Sequence, residues 1–594
     1  MSILLQYGRI ALPKLFMMQK NFHSGFSKVI ASITPVKAIL AIISLGYLVF
    51  GNAMNNQFVW DDKTFILENP EVHSVNITKL FGQNMFNNGS YYRPIPATYF
   101  AILYSLFNTA PFFYHFFQIS FHITVVVLLF LLFKRFFPLL LALFLALVFL
   151  VHPINTESVV YVGASISVLF TLFGLPAFLL SMKETLNSKR LIAVYLLLLC
   201  ALLTKETAVL YVGAILLYRY LFHKPLLRFF GTSIAIVLTY LPVRFFIGGV
   251  FFQRVNAIPI MKLSLIERLY TIPQVISYYI STAFYPDKLS IAQNWVVRSA
   301  SLHEFYIPLC IDLLFFIIVA AVGILMKKDR KACTRYTFFF CWFASGLFLH
   351  SQVVPLDMTV ADRWFYFPLI GLLGMIGVVV QKFFLPYVRS RVALVTIAVF
   401  IITILSLRTV IRNTNWSNPI TLYSHDLKVR EDYDKHNSLG AELWLVGKHD
   451  EAIAHFKRSI ELFPEDLNYT NLGLAYEQLG NIKEAKILFG KALSSDPYII
   501  DGIQHRDYTY LAMLQILLNE GSYNDALKLL KKAQSDYPSY IRFWFYLAYA
   551  EYKLGNRNEA IYAAAQTYRL DPNPTTAGVY NRIVSNQPLT ISLH

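Results

Sequence analysis

The stretch FFYHFFQISFHITVVVLLFLLF, residues 112–133, decides the class of this protein because it holds no Asp, Glu, Lys or Arg. An α-helix needs about 20 apolar residues to cross the hydrocarbon core of a bilayer. The basic pair Lys134-Arg135 follows at once, which is typical of a membrane helix that ends in a basic loop. Further apolar segments begin near residues 35, 136, 159, 191, 207, 229, 304, 337, 364 and 392. The sequence therefore predicts about eleven spans.

The composition agrees with a polytopic membrane protein. Of the 594 residues, 56% are hydrophobic and 15% are charged, whereas about a quarter of an average soluble protein is charged. This excludes an ordinary soluble enzyme. A net charge of +17 would suggest a nucleic-acid partner in a soluble protein, but the whole Lys and Arg excess lies before residue 416. We interpret it as a signal of membrane topology and expect no nucleic-acid partner.

The basic loops give the orientation. Clusters of Lys and Arg occur in alternate loops, around residues 9–37, 134–135, 183–190, 219–228, 327–335 and 382–391. The positive-inside rule places these loops in the cytoplasm. With an odd number of spans, the C-terminal part then lies outside the cytoplasm, across the inner membrane of a bacterium or in the ER lumen of a eukaryote. We interpret Tyr270–Phe284, which would reverse this order if it were a span, as re-entrant or interfacial.

These patterns divide the chain into five parts. Residues 1–34 form a basic N-terminal segment in the cytoplasm, an interpretation favoured over a transit peptide. Residues 35–412 form the membrane domain, whose long outer loop is 54–111. A linker at 413–432, repeats at 433–575 and a tail at 576–594 complete the chain.

The C-terminal part carries an internal repeat. Small and aromatic residues recur in the same order, with Ala452 and Ala485 33 residues apart and Ala526 and Ala560 34 apart. A period of 34 is that of the tetratricopeptide repeat, a pair of helices. About four units stack into a short α-solenoid, whose concave face suits an extended peptide. A plain spacer is the alternative.

The predicted fold class is therefore all-α, with a polytopic membrane helix bundle followed by a tetratricopeptide α-solenoid. The four cysteines have no disulfide or metal-ligand spacing, and the chain has no glycine-rich phosphate loop. No pattern requires a cofactor or metal ion, although a divalent ion on a single carboxylate is compatible with the sequence.

Two adjacent carboxylates open the outer loop. Asp61 and Asp62 follow Phe58-Val59-Trp60, a few residues beyond the first span. Partial desolvation at a membrane interface raises the pKa of a carboxyl group, which suits general-base catalysis. The alternative is a helix N-cap with a solvated Asp pair.

Other polar residues also mark the outer ends of spans. Ionisable groups at such depths are costly and are usually paired or functional. His152 and Glu157 are five residues apart, a poor spacing for one metal ion, and a structural His-Pro cap is the alternative for His152. Lys205-Glu206 and Asp362-Arg363 lie at other outer ends, so these residues would ring one outward-facing cavity.

The order of these motifs resembles a known family. Val-Trp-Asp-Asp at 59–62 is followed by Tyr-Arg-Pro at 92–94, His-Pro-Ile-Asn-Thr-Glu at 152–157, Leu-Thr-Lys-Glu-Thr at 203–207, Asp-Arg-Trp-Phe-Tyr-Phe-Pro at 362–368 and then the repeats. This order resembles the transmembrane and tetratricopeptide repeat-containing O-mannosyltransferases of the GT-C superfamily. The sequence departs from the family pattern at 163–167, which reads Gly-Ala-Ser-Ile-Ser, and at Asp362.

The resemblance implies transfer of a hexose, mannose in animal members, from a polyprenyl-phosphate-linked donor to Ser or Thr hydroxyls of extracytoplasmic proteins, with inversion. It implies that Asp61 or Asp62 is the general base, with Asp61 slightly preferred. The donor phosphate would be bound by Arg93, Lys205 and Arg363, and the sugar and acceptor site would be formed by Tyr92, His152, Glu157 and Glu206. The partners would be the lipid-linked donor, membrane lipids and acceptor proteins recruited by the repeats.

Two alternatives remain from the sequence. One is a non-enzymatic membrane scaffold that anchors the repeats. The other is a lipid-linked glycan polymerase or ligase, because such enzymes also combine many spans with repeats.

Overall fold

The computed structural model describes residues 32–84, 91–184, 186–250, 258–387, 391–495, 499–500, 503–504 and 506–588. Most of the predicted N-terminal segment, 1–34, lies outside these residues. The described chain forms two compact units, one of which extends to Arg430 and the other of which begins at Glu431.

The first unit is helical. Its helices up to residue 221 are α1 (Pro35–Phe50), α2 (Ile77–Gly82), α3 (Pro94–Phe107), α4 (Pro111–Phe133), α5 (Leu139–Val151), α6 (Thr156–Val160), α7 (Ser165–Ser181), α8 (Ser188–Thr204) and α9 (Val209–Leu221). They are followed by α10 (Leu227–Pro242), α11 (Pro259–Lys262), α12 (Leu265–Phe284), α13 (Ile307–Met326), α14 (Arg330–Leu349), α15 (Tyr366–Val379), α16 (Arg391–Asn415) and α17 (Pro419–Val429).

Each of the eleven predicted spans is a helix, and within the described residues seven helical segments are long and apolar enough to cross a membrane. The count is eight if the bent pair Leu139–Val151 and Pro153–Val160 forms one span. Among the others, α8 and α9 have only 17 and 13 residues, and α14 begins with basic residues. The chain is an integral membrane protein, and the count of eleven stays a prediction. Leu265–Phe284 is one continuous helix rather than a re-entrant turn.

Glycines bring two of these helices close together. A Cβ atom on Gly371 of α15 would lie 2.4 Å from the backbone nitrogen of Phe343 in α14. One on Gly374 would lie 2.1 Å from the ring of Phe339. Without side chains at these two positions the backbones approach closely, as is common where membrane helices pack.

A bend between α5 and α6 positions part of the site. The two helical segments meet at 49° around His152-Pro153. Because proline fixes φ and lacks an N–H, it readily begins a new helical segment. Residues 153–155 form one 3-10 turn before α6, which directs Glu157 into the unit, where it is buried.

The second unit consists of paired helices. The pairs are α18 (Tyr433–Leu445) with α19 (His449–Leu462), α20 (Asp466–Gln478) with α21 (Ile482–Ser494), α22 (Asp507–Asn519) with α23 (Tyr523–Asp536), and α24 (Ile541–Lys553) with α25 (Arg557–Leu570), followed by α26 (Pro574–Val584). The turns within the four pairs contain Gly447, Gly480, Gly521 and Gly555 at φ 80°, 79°, 74° and 81°. Glycine adopts this left-handed conformation without the penalty of a side chain.

The tetratricopeptide α-solenoid is confirmed. A small residue packs against an aromatic ring in the first pair, because a Cβ atom on Gly440 would lie 2.7 Å from the Phe456 ring. Two details differ from the prediction. The stretch between the second and third pairs contains two antiparallel two-residue strands, β1 (Ile499–Ile500) and β2 (Ile503–Gln504), and α26 runs through the predicted boundary between repeats and tail.

Candidate active site

The Asp61-Asp62 pair lies in a sharply folded segment after α1. Trp60 adopts φ 52°, a conformation that is uncommon for residues other than glycine. The Asp62 side chain turns back into the protein and is fully buried. Its Oδ2 accepts a hydrogen bond from the Val59 N–H at 3.0 Å and its Oδ1 accepts one from the Gly163 N–H at 2.6 Å. Asp62 is therefore neither a solvated residue nor a side-chain helix cap.

The two carboxyl groups have different environments. Burial raises the pKa of Asp62 to about 8, although the N–H donors of Val59 and Gly163 oppose this rise. Asp61 is only half-buried, and its Oδ2 accepts a hydrogen bond from the Tyr161 hydroxyl at 3.2 Å. The Asp61 carboxyl group is thus held by a side-chain hydroxyl, whereas the Asp62 carboxyl group is held by backbone N–H groups.

Arg363 connects the Asp61 segment to α6. Its guanidinium group forms an ion pair with Glu157, whose other oxygen accepts the Arg363 backbone N–H at 3.0 Å. The Arg363 guanidinium carbon also lies 5.4 Å from the centroid of the Trp60 ring. Because Glu157 neutralises a charge that is largely withdrawn from water, the pair fixes Arg363 beside the residue that precedes Asp61.

A second group of charges surrounds Glu206. Its two oxygens accept hydrogen bonds from Arg93 at 3.0 Å and from Arg244 at 2.8 Å. Burial would raise the pKa of Glu206, but the two guanidinium groups lower it to about 2. One carboxylate therefore orders two cations, and the cluster keeps a net positive charge.

Lys205 lies between these groups. It lines a small cavity with Arg363, and the other residues of the lining are Phe170, Thr207, Leu210, His350, Trp364 and Phe367. Burial, assisted by the charges of Arg93 and Arg363, lowers the pKa of Lys205 to about 7. Among the described residues Lys205 has no ion-pair partner, so this ammonium group is available to an anion.

Two predicted site residues, His152 and Tyr92, have contacts with the backbone, and their roles in the site stay predictions. The His152 ring nitrogens contact the carbonyl of Ala283 at 3.0 Å and the N–H of Ile154 at 3.3 Å, so both are engaged by the backbone, as in the His-Pro cap alternative. Tyr92 is 1% exposed and donates its hydroxyl hydrogen to the Phe81 carbonyl. Neither ring is directed toward the cavity beside Lys205, because the cavity lining includes neither residue.

Two residues of the site were missed by the sequence analysis. Tyr161 lies in a run of apolar residues, and Arg244 lies in a π-helical turn, Val243–Ile247, at the end of an apolar segment. Arg244 was detectable as a cation at a span end. No sequence pattern indicated that Tyr161 would reach Asp61. Within the described residues no group of three or more His, Cys, Asp or Glu side chains is placed to bind a metal ion.

Comparison with known proteins relates both units to described proteins. Models of the tetratricopeptide repeat match residues 468–498 and 511–573. The chain is 24% identical over 571 residues to the protein O-mannosyl-transferase TMTC3 of Mus musculus. The aligned residues cover 85% of this chain and 60% of that protein. It is 23% identical over 458 residues to the protein O-mannosyl-transferase F38B6.6 of Caenorhabditis elegans, covering 72% and 63%.

Two further matches cover a smaller part of this chain. The protein O-mannosyl-transferase TMTC1 of Homo sapiens is 30% identical over 209 residues, which cover 31% of this chain and 24% of that protein. The solved structure of YrrB, described as a TPR protein with an unusual peptide-binding site, matches at 19% identity and a TM-score of 0.24, covering 28% of this chain and 82% of that one. The chain spans about three fifths of the length of the curated relatives that it matches over most of its own length.

Proposed function

We propose that this chain transfers a hexose, preferentially mannose, from a polyprenyl-phosphate-linked donor to Ser or Thr hydroxyls of extracytoplasmic proteins. The chain is a relative of the protein O-mannosyl-transferases, which its motifs resemble. One observation carries the proposal. A half-buried carboxylate, Asp61, follows Trp60 in the chain, and Arg363, whose guanidinium carbon lies 5.4 Å from the centroid of the Trp60 ring, lines the same cavity as Lys205. We infer from this arrangement that a proton acceptor and two cations able to bind a phosphate serve one site.

The reaction assigns a role to each group. The acceptor hydroxyl oxygen attacks the anomeric carbon of the donor, and its proton passes to the Asp61 carboxylate. The bond between the anomeric carbon and the phosphate oxygen breaks, and the electron pair leaves with the lipid phosphate. Lys205 and Arg363 stabilise the developing negative charge, and the Arg93–Glu206–Arg244 cluster adds further positive charge. Attack opposite the leaving group inverts the anomeric centre.

A lipid-linked donor agrees with the position of the site. The site residues lie at helix ends, such as Lys205 directly after α8 and Arg363 at the start of the apolar segment 362–384. A polyprenyl chain would remain in the bilayer while its headgroup reaches such helix ends, so a soluble nucleotide pocket is not needed. We place this face of the protein outside the cytoplasm because the basic loops predict it.

The repeats are assigned to acceptor recruitment. Arrays of this kind form extended concave surfaces that bind proteins and peptides. With the topology predicted from charge, the repeats would face the same compartment as the site. Reporter enzymes that are active only in one compartment, fused after residue 594 and after the basic cluster at 327–335, test this arrangement. We expect the first fusion to report the outer side and the second the cytoplasm.

The activity is tested with the purified full-length protein in liposomes. The donor is polyprenyl-phosphate-mannose, the acceptor is a Ser- and Thr-containing peptide, and the product is detected by intact peptide mass. We expect one hexose per modified hydroxyl, no product with a peptide in which Ala replaces Ser and Thr, and about 100- to 10,000-fold slower product formation with Asp61→Asn. Extension into a hexose polymer would indicate the polymerase alternative. An inactive wild-type protein that remains folded and binds the peptide would indicate the scaffold.

A further inference from the structure

We propose that Trp416 is a positioning residue, held in place by the buried Arg412–Asp426 ion pair. Trp416 fixes the ring of Tyr161, and the hydroxyl of Tyr161 in turn fixes the general base Asp61. This inference rests on the proposed function and extends it to the segment that follows the last span. The segment was predicted to be a linker from residue 413 onward. In the structure it packs against Tyr161, whose hydroxyl donates to the candidate base, and hydrogen-bonds to the residues that precede that base.

The first contact in this chain joins Asp61 to Tyr161. The Tyr161 hydroxyl donates to Oδ2 of Asp61 at 3.2 Å. The Tyr161 side chain is 2% exposed, and its backbone carbonyl accepts a hydrogen bond from the Gln118 side chain at 2.7 Å. The backbone of Tyr161 is thus fixed by α4, but the direction of its hydroxyl depends on what packs against its ring.

Trp416 supplies that packing. Its ring stacks on the Tyr161 ring with centroids 5.9 Å apart and an angle of 18° between the planes. Trp60 lies 5.3 Å from the same tyrosine ring. Trp416 is fully buried, so its removal would leave a cavity beside Tyr161, and the tyrosine would be free to change rotamer. Loss of the aromatic stack also removes direct ring–ring attraction.

An ion pair fixes Trp416 in turn. The Arg412 guanidinium carbon lies 5.4 Å from the Trp416 ring centroid. Its Nη1 donates to Oδ1 of Asp426 at 2.8 Å, and both side chains are at most 1% exposed. The second Asp426 oxygen accepts the Ile291 N–H at 2.6 Å. A buried pair whose remaining hydrogen-bonding positions are filled holds one geometry, because any other would leave a buried charge uncompensated.

Backbone contacts tie the same segment to the loop that carries Asp61. The Gln57 N–H donates to the Ser417 carbonyl at 3.0 Å, and the Asn56 amide donates to the Asn413 carbonyl at 3.2 Å. The Asn413 amide donates in turn to the Val49 carbonyl at 2.9 Å. The end of α16 and the entry to the Asp61 segment therefore form one hydrogen-bonded unit, independently of the ring stack.

Trp416 has no role in the proton transfer itself in this arrangement. Its replacement should therefore lower kcat while leaving the binding of donor, and hence its KM, largely unchanged. Misplacing a reacting group by about 1 Å costs on the order of 100-fold in rate. If Trp416 supported only the general fold, its replacement would reduce the amount of active protein rather than kcat. Substitutions that retain the ring and substitutions that remove it would then have similar effects on kcat.

The experiment compares four variants of the full-length protein in the liposome assay with polyprenyl-phosphate-mannose and the Ser/Thr peptide. Trp416→Phe retains a stacking ring, Trp416→Ala removes it, and Tyr161→Phe retains the stack but removes the hydroxyl. The matched control is Trp295→Ala, because Trp295 is also buried and lies 4.3 Å below the Arg430 guanidinium group without being in the proposed chain of contacts. Each protein is assayed at equal amounts of monodisperse material.

We expect Trp416→Ala to lower kcat by about 10- to 100-fold with the donor KM within about twofold, and Tyr161→Phe to show the same pattern. Trp416→Phe and Trp295→Ala should remain within about threefold of wild type. If Trp416→Ala does not fold, Tyr161→Phe decides, and full kcat in that variant overturns the inference. Equal losses for the Trp416→Ala and Trp295→Ala variants also overturn it. Absence of transfer by the wild-type protein would contradict the proposed function instead.

Discussion

The backbone N–H of Gly163 donates a hydrogen bond to Oδ1 of Asp62 across 2.6 Å. It joins the loop after α1 to the segment after α6. It also separates the roles of two adjacent carboxylates that look equivalent in the sequence. The buried Asp62 side chain, held by backbone donors, fixes the loop, and we propose that its half-buried neighbour Asp61 is the one that reacts.

The first prediction concerns this division of roles. Because burial raises the pKa of Asp62 to about 8, its side chain is mostly neutral at pH 7, and Asp62→Asn preserves that charge. We expect Asp62→Asn to retain transfer within about tenfold of wild type, and Asp61→Asn to lose about 100- to 10,000-fold, the usual contribution of a general base. Initial rates at saturating donor and acceptor measure both. A larger loss in Asp62→Asn would exchange the two assignments.

The second prediction is a pH dependence of stability. A carboxyl group whose pKa is raised on folding, here from 3.8 to about 8, holds its proton more tightly in the folded state. The stabilisation that this group contributes is complete when the pH is below the unfolded-state pKa of 3.8, and it declines as the pH rises toward the folded-state pKa of about 8. Thermal unfolding in detergent from pH 5 to 9 should therefore show a smaller decline for Asp62→Asn than for wild type. Parallel curves would contradict this.

The third prediction concerns the donor. The pKa of Lys205 is lowered to about 7 by burial and by neighbouring cations, so its ammonium group is charged below this pH and neutral above it. The apparent KM for the anionic lipid donor should rise above pH 7, by at most about tenfold per pH unit. In Lys205→Arg the charge persists, because a guanidinium group stays protonated. A donor KM with the same pH dependence in both proteins would exclude Lys205 from the phosphate site.

The sequence predicted what depends on near neighbours in the chain. Apolar runs and the 34-residue period are local patterns, so the membrane helices and the solenoid followed from them. The contacts that define the site join residues far apart, such as Arg93 with Glu206 and Arg244, or Asp61 with Tyr161. Nothing in the residues adjacent to Tyr161 indicates that Asp61 is its partner. For the same reason the sequence did not reveal that backbone groups from two segments contact the His152 ring, and its place at the sugar site stays a prediction.

The fourth prediction tests the packing of the repeats. A Cβ atom on Gly473 of α20 would lie 2.6 Å from the Phe489 ring, whereas one on Gly490 of α21 would meet no atom within 4 Å. We expect Gly473→Ala to destabilise the second unit by about 1–3 kcal/mol. Gly490→Ala should leave its stability unchanged or raise it by up to about 1 kcal/mol, because alanine favours a helix. Amide hydrogen exchange of α20 and α21 in the full-length protein measures both. Equal protection in the two variants would contradict the predicted packing.

The fifth prediction isolates the Glu157–Arg363 pair. Glu157 is 1% exposed and accepts both the guanidinium group and the backbone N–H of Arg363. Glu157→Gln removes the countercharge from a largely buried cation, which costs about 3–5 kcal/mol. In the double variant Glu157→Gln/Arg363→Gln no charge is left uncompensated, so unfolding in detergent should occur closer to the wild-type temperature than in Glu157→Gln alone. Both variants should be inactive, since each disturbs the cation beside Trp60. If the double variant were less stable than the single one, Arg363 would be held by contacts other than Glu157, and its place beside Trp60 would not depend on this pair.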